Sequence, residues 1–255
     1  MGRVKTWVAL NGERVFVWTF VVVFLAVVAF LLYFGTPFHG SETSIQSVYE
    51  DDRIDVDRTG RGGYVMRPAG TDPQRGLVFY PGARVDPDAY LASLAPLVHD
   101  TNTTVVVAKM PLNLAVLDQG AADRVIDRYD GPRQWYVGGH SLGGAMACRY
   151  ARDNPQRVSG LVLFGAYCDK SIAQTDLRVL SVRGEADTVL DRDTYERNKR
   201  NLPSATTHSV LVGVNHTQFG SYTGQWGDRP SGTSYGVAHR RLAETIVPWF
   251  ENASG

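Results

Sequence analysis

Two cysteines, Cys148 and Cys168, are all that the 255 residues contain, and they form neither a CxxC pair nor a cluster with histidine. That excludes a disulfide-stapled scaffold and leaves no pattern for a structural zinc site. A bridge between the two is not expected either. Cys148 lies about two helical turns beyond Ser141 and Cys168 follows a strand end, so both read as packing thiols. An excess of either charge is also missing: 26 Lys plus Arg face 26 Asp plus Glu, and no nucleic-acid partner is expected. There is no GxxxxGK[ST] loop to cradle phosphates, no internal repeat and no low-complexity tract. With 20% charged and 11% aromatic residues, the composition suits a chain that buries a core.

What stands at the front is a long apolar run. Val15 to Phe34 reads VFVWTFVVVFLAVVAFLLYF, without a charge. As a helix rising about 1.5 Å per residue it spans roughly the 30 Å of a bilayer's hydrocarbon. Trp18 and Tyr33 near its ends suit interfacial belts, and Gly35, Thr36 and Pro37 supply a stop. A cleaved secretory signal would have a shorter apolar stretch followed by small residues, whereas the exit here is Phe34-Gly-Thr-Pro-Phe-His39. Arg3, Lys5 and Arg14 precede the span, opposed only by Glu13; Glu42, Glu50, Asp51 and Asp52 follow it before any cation. This asymmetry predicts a cytoplasmic N-terminus (1–14), a signal-anchor helix (15–34) and an extracytoplasmic remainder on a single-pass membrane protein. Residues 35–52 are polar and aperiodic, and read as a stem.

Beyond the stem, short apolar runs alternate with amphipathic ones, the mark of an α/β domain with a mostly parallel sheet covered by helices on both faces. Strands are expected at Ile54–Val56, Tyr64–Arg67, Leu77–Tyr80, Thr104–Ala108, Gln134–Val137, Val158–Phe164, Leu177–Val182 and Thr207–Val212. Helices are expected at Asp88–Val98, Gln119–Tyr129, Leu142–Asp153, Asp193–Asn201 and Val237–Phe250, the last ending or kinking early at Pro248. About two hundred residues in this order make one domain, 53–252.

One stretch carries chemistry. An apolar strand from Trp135 runs directly into Gly139-His140-Ser141-Leu142-Gly143 and then into a helix, which is the pattern of a nucleophile elbow. The turn is so tight that flanking side chains do not fit, and it lifts the Ser141 hydroxyl above the sheet edge at a helix N-terminus. A second GxSxG, Gly232 to Gly236 around Ser234, has only a loop before it and follows the other candidate residues. Context therefore selects Ser141.

A serine hydroxyl becomes a nucleophile when a histidine takes its proton and an acid orients that histidine, here expected in the chain order Ser, acid, His. Asp187 lies in the loop after the strand Leu177–Val182, and His216 lies after the next strand, both just past carboxyl strand ends. Glu185, Asp191 and Asp193 are rivals for the acid, and a helix cap is the competing role for Asp187. His39 and His99 precede the nucleophile, His140 is inside the elbow, His208 is in a strand and His239 in a helix; these read as surface or packing residues. For the oxyanion, Leu142 supplies one backbone amide. The second is expected from Ala83, with Gly82 in reserve, in the turn after Leu77–Tyr80; Pro81 has no amide hydrogen.

Tyr80-Pro81-Gly82, Lys109-Met110-Pro111 with Asn113-Leu114-Ala115, Gly139-His-Ser-Leu-Gly-Gly144, and Asn215-His216 with Gln218-Phe219-Gly220 together resemble the α/β-hydrolase superfamily, specifically its fold-5 type domain. The resemblance covers about Arg53 to Glu251 and implies a Ser-Asp-His hydrolase at Ser141, Asp187 and His216. Many relatives carry His-Gly where this chain has Pro81-Gly82.

Only a dozen residues separate the strand ending near Phe164 from the one starting at Leu177, too few for a helical lid. The site should be open, or covered by the loop from Phe219 to Tyr235, whose Tyr222, Trp226 and Tyr235 either line a pocket or pack as surface. Asn102, Asn215 and Asn252 begin Asn-x-Ser/Thr patterns; the match at Asn215 reads as chance, because a glycan would crowd His216. The expected function is ester-type acyl hydrolysis of a small-molecule substrate, with the lipid bilayer engaged through the N-terminal helix. Neither metal nor organic cofactor is implied. Amide cleavage or acyl transfer with the same residues, and an idle hydrolase-fold binding module, are the competing readings.

Overall fold

The computed structural model describes residues 2–252, with side chains from Gly12 onward. The side chains of Arg3 and Lys5, part of the expected cytoplasmic flank, lie outside the described residues, as do Ala253 and Ser254 of the third Asn-x-Ser pattern. The chain divides into two compact units, Met1–Thr36 and Pro37–Gly255. The first is one helix, α1 (Gly2–Gly35), whose stretch Gly12–Gly35 contains an 18-residue window with a mean hydropathy of 3.0 and is long and apolar enough to cross a membrane. It begins well before Val15, since the polar residues there include no helix breaker beyond Gly12.

The second unit begins by packing, where the sequence suggested a stem. Phe38 bridges Val85 in parallel: its N–H donates to the Arg84 carbonyl at 2.6 Å, and its own carbonyl accepts from Asp86 N–H at 2.8 Å. Ser41 then caps α2 (Glu42–Tyr49), accepting from Ser44 N–H. Val48 is buried in the core and Ile45 packs against it, a two-residue apolar stripe too short to stand out as periodicity.

All eight expected strands form, as β1 (Ile54–Arg58), β2 (Tyr64–Pro68), β3 (Arg75–Tyr80), β4 (Thr103–Val107), β5 (Gln134–His140), β6 (Gly160–Phe164), β7 (Arg178–Gly184) and β8 (Thr207–Leu211). They make one eight-stranded sheet in the order β1-β2-β4-β3-β5-β6-β7-β8. β2 is antiparallel to β1 and β4, and every other pairing is parallel. Because successive side chains point to opposite faces, each strand feeds two cores. Leu77 and Phe79 join Tyr136, Val162 and Phe164 on one face, under α3 (Leu91–Thr101) and α7 (Tyr235–Glu251). Val78 and Tyr80 join Val137, Leu161 and Leu163 on the other, under α4 (Ala121–Ile126) and α5 (Leu142–Asp153). The short α6 (Arg192–Asn198) follows β7.

Two expectations are corrected. Pro248 does not end α7 early: the helix reaches Glu251. Trp249 and Phe250 are drawn into the core, and their carbonyls accept from Arg178 at 3.0 Å and Arg75 at 2.5 Å, so the last turn is held from outside the helix. Cys148 and Cys168 are disulfide-bonded, with Cα atoms 5.6 Å apart. Distance along α5 from Ser141 says nothing of this proximity. The helix returns across the sheet beside β6, and the segment leaving β6 folds back over it.

Candidate active site

β3 and β5 are neighbours, but the chain visits β4 on the far side of β3 in between, so the strand order reverses at this point and a crevice opens at the carboxyl ends. Ser141 stands there. Its backbone has φ 53° and ψ −124°, a conformation side chains rarely adopt, between the end of β5 and the start of α5. Ser141 N–H donates to the Phe164 carbonyl at 3.0 Å, which ties the turn to β6. Its hydroxyl makes no cap to its own helix. Gly143 is required by close approach: a Cβ there would lie 2.1 Å from the Tyr80 carbonyl oxygen and 2.3 Å from that of Pro81. The elbow and the turn after β3 are thus in backbone contact.

Asp187 and His216 come together from the ends of β7 and β8. Nδ1–H of His216 donates to Asp187 Oδ2 at 2.8 Å, and both side chains are 1% exposed. The other carboxylate oxygen of Asp187 accepts from the amides of Val189 and Leu190, each at 2.9 Å. Gly165, with φ 50°, brings the chain after β6 against this pair; a Cβ would lie 3.2 Å from both Asp187 Oδ2 and His216 Nδ1. With Nδ1 engaged by the carboxylate, Nε2 of His216 is the acceptor nitrogen; it is buried without a hydrogen-bond partner among the described residues. Ser141 and His216 line one cavity of about 400 Å³. No hydrogen bond joins Ser141 Oγ to His216 Nε2 in this structure.

The rival residues have other duties. Glu185 accepts from Gly213 N–H, Asp191 caps α6, and Asp193 lies in the first turn of that helix. Ser234 caps α7. His239 is buried in α7, its Nε2 facing the Gly220 carbonyl at 2.8 Å. Asn215 is buried, donating to the Arg229 carbonyl at 2.8 Å.

Of the two amides expected after β3, the reserve is already engaged: Gly82 N–H donates to Tyr90 Oη at 2.9 Å. Ala83 N–H makes no hydrogen bond among the described residues, and Leu142 N–H, first in α5, has no intrahelical acceptor.

Three residues were missed or set aside on sequence. Asp228 accepts from the amides of His216 at 3.2 Å and Thr217 at 2.9 Å, fixing the histidine loop. Tyr90 and His140 are fully buried, and the His140 ring lies 4.3 Å from that of His216, centroid to centroid. Burial, then the neighbouring His216, hold the His140 pKa well below the usual histidine value, offset in part by the His216 main chain. No local pattern announces any of the three, because each acts across the fold.

Of the two readings left open for the loop from Phe219 to Tyr235, lining a pocket with Ser141 is not the one that forms. Tyr222 is buried, Trp226 is fully out in solvent and Tyr235 opens α7, so none of them lines the cavity with Ser141. Its apolar lining comes from Leu142 and Met146 of α5, Tyr167 after β6, and Val189 and Leu190 after β7. At its edge Arg149 Nε donates to Asp169 Oδ1 at 3.0 Å, holding that carboxyl below its ordinary pKa, next to the disulfide.

Away from the cavity, the potential ligand atoms of His39, Asp86 and Asp88 lie within 4.8 Å of one another. Lys109 Nζ already donates to Asp86 at 2.5 Å, and Asp88 accepts from His39 at 2.7 Å and Gly40 N–H at 2.8 Å. The group reads as a polar staple for the segment that carries Phe38.

Comparison with known proteins agrees with the architecture. A candidate lipase from Acinetobacter baumannii superposes with a TM-score of 0.61 at 12% identity, covering 84% of this chain and 97% of that one. Carboxyl esterase 2 from Tuber melanosporum gives 0.60 at 12%, covering 86% and 91%. No curated protein matches by sequence. The sequence profile of the alpha/beta hydrolase family matches residues 76–238, more than half of the chain and the whole stretch that holds Ser141, Asp187 and His216. With this sheet order and this profile, the chain belongs to the alpha/beta hydrolase family.

Proposed function

We propose that this protein is a membrane-anchored serine hydrolase that cleaves an ester-type acyl bond through an acyl-enzyme on Ser141. The observation that carries the reading is the buried Asp187–His216 hydrogen bond, whose unpartnered Nε2 shares a cavity with a strained, uncapped serine. His216 takes the Ser141 proton as Oγ attacks the acyl carbon, and then gives it to the leaving oxygen. General base catalysis of this kind contributes about 10²- to 10⁴-fold. Asp187 holds the tautomer and offsets the positive charge on the ring. The amides of Leu142 and Ala83 receive the oxyanion, and water, deprotonated by His216, releases the acid in the second half.

The apolar lining and the lipase and esterase neighbours favour an acyl ester as substrate. Anchoring rests on Gly12–Gly35, and the disulfide fits a domain on the oxidising side of the membrane. The test is fluorophosphonate labelling of the full chain in detergent beside Ser141→Ala. Labelling and hydrolysis of p-nitrophenyl butyrate should both vanish in the variant; turnover that survives would overturn the proposal.

A further inference from the structure

The turn after β3 is pinned on both sides of Ala83. On one side Arg84, in a left-handed conformation with φ 60°, donates its N–H to the Asn113 carbonyl at 2.9 Å. On the other, Gly82 N–H donates to Tyr90 Oη, which itself lies 3.0 Å from His140 Nδ1. Between them only the Ala83 amide is left without an acceptor among the described residues.

Burial decides where the protons of this hydrogen-bond chain sit. Tyr90 is fully buried, and burial pushes its hydroxyl pKa upward, so it carries its proton. That proton needs an acceptor, and His140 Nδ1 is the one within reach. Tyr90 Oη therefore accepts from Gly82 N–H and donates to His140 Nδ1, so that neutral His140 carries its own proton on Nε2. The fit is close: a Cβ on Gly82 would lie 3.0 Å from His140 Nδ1 and 3.2 Å from Tyr90 Oη.

We propose that Tyr90, oriented by His140, is a positioning residue for the reaction: by occupying the Gly82 amide it sets the turn so that the Ala83 amide, and not its neighbour, faces the oxyanion. The inference rests on the serine-hydrolase reading and specifies its transition-state contacts. Replacing Tyr90 by Phe keeps the ring in the core and removes only the oxygen. The freed Gly82 amide must then find another acceptor, and the carbonyls of its own turn are nearest in sequence. Ala83 N–H turns away when the peptide planes rotate to allow this. Neither Tyr90 nor His140 lines the apolar cavity, so removing the Tyr90 oxygen leaves its lining residues unchanged.

The experiment compares wild type, Tyr90→Phe and His140→Gln as full chains in detergent, with p-nitrophenyl butyrate and a fluorophosphonate. Loss of one oxyanion donor lowers kcat by about 10²- to 10³-fold; a displaced donor should lower it by at least about 10-fold. Tyr90→Phe should show that fall in kcat with KM within about twofold, and the phosphonate inactivation rate should fall in parallel. His140→Gln, which keeps an acceptor for Tyr90, should retain more activity than Tyr90→Phe. Wild-type kcat in Tyr90→Phe, or a change confined to KM, would overturn the proposal. If Tyr90→Phe does not fold, Ala83→Gly against Ala83→Pro decides: Gly keeps the amide hydrogen and Pro removes it, and equal kcat in the two overturns the proposal. Ser141→Ala in the same assay keeps the outcomes apart, because turnover surviving there sinks the serine reading itself.

Discussion

His216 Nδ1 lies 2.8 Å from Asp187 Oδ2, and both side chains are almost completely out of water. Removing the carboxylate charge while keeping its shape leaves the imidazole without its fixed tautomer. Asp187→Asn should lower kcat by about 10⁴-fold with little loss of fold, since tautomer control of that size is known for triad carboxylates. Steady-state hydrolysis and a thermal melt check both halves; activity within about tenfold of wild type would assign the orienting role to another group.

The disulfide closes a loop with a sequence separation of 20 residues and joins α5 to the segment after β6 that walls the cavity. Chain-entropy arguments give about 3 kcal/mol for a loop of that size. The Cys148→Ser, Cys168→Ser double variant should lose roughly that much in urea unfolding, and the native chain should titrate no free thiol until reduced.

Gly143 leaves no room for a Cβ against the Tyr80 and Pro81 carbonyls. Gly143→Ala must push the turn after β3 away from the elbow, at about 1–3 kcal/mol of stability by analogy with overpacked cores. Because Ala83 rides on that turn, hydrolysis should fall by more than about 100-fold, more than the stability loss alone would cause. The ratio of kcat to folded fraction measures it.

His140 and His239 both have pKa values held low by burial, the second offset in part by the Gly220 carbonyl. A histidine whose folded pKa lies below its unfolded value takes up a proton more readily when unfolded. Its contribution to stability is therefore present above the unfolded value, about 6.5, and is lost as pH falls from there towards the folded pKa. Each such group steepens the loss by up to about 1.4 kcal/mol per pH unit. Urea unfolding at pH 7.5, 6.5 and 5.5 should show stability falling below pH 6.5, with a shallower slope in His239→Gln.

Anchoring through the N-terminal helix predicts that the full chain stays with membranes after an alkaline carbonate wash. A chain lacking residues 15–34 should be released by the same wash. Retention of the shortened chain would place the membrane contact elsewhere.

Residue pattern alone was enough for the strand set, the order of strands and α-helices after residue 52, the apolar N-terminal helix, and Ser141, Asp187 and His216 as candidates. These depend on local physics. Alternation of apolar runs marks strands buried on both faces, a glycine-flanked serine between strand and helix marks a tight turn, and strand ends mark where side chains can leave the sheet. Chain order then limited which acid and which histidine to consider.

Contacts between distant segments were decided only by the tertiary structure. The Cys148–Cys168 bridge, the docking of Phe38 on Val85, the Asp228 clasp on the histidine loop and the Gly82–Tyr90–His140 chain each join residues whose closeness comes from the path of the sheet and its crossovers. His140 looks like any other residue of a GxSxG pattern; burial beside His216 is what separates it from the exposed histidines. Sequence spacing measures distance along the chain, whereas a disulfide, a hydrogen bond and a pKa shift depend on distance through space, and in a parallel α/β sheet the two are related only through the complete fold.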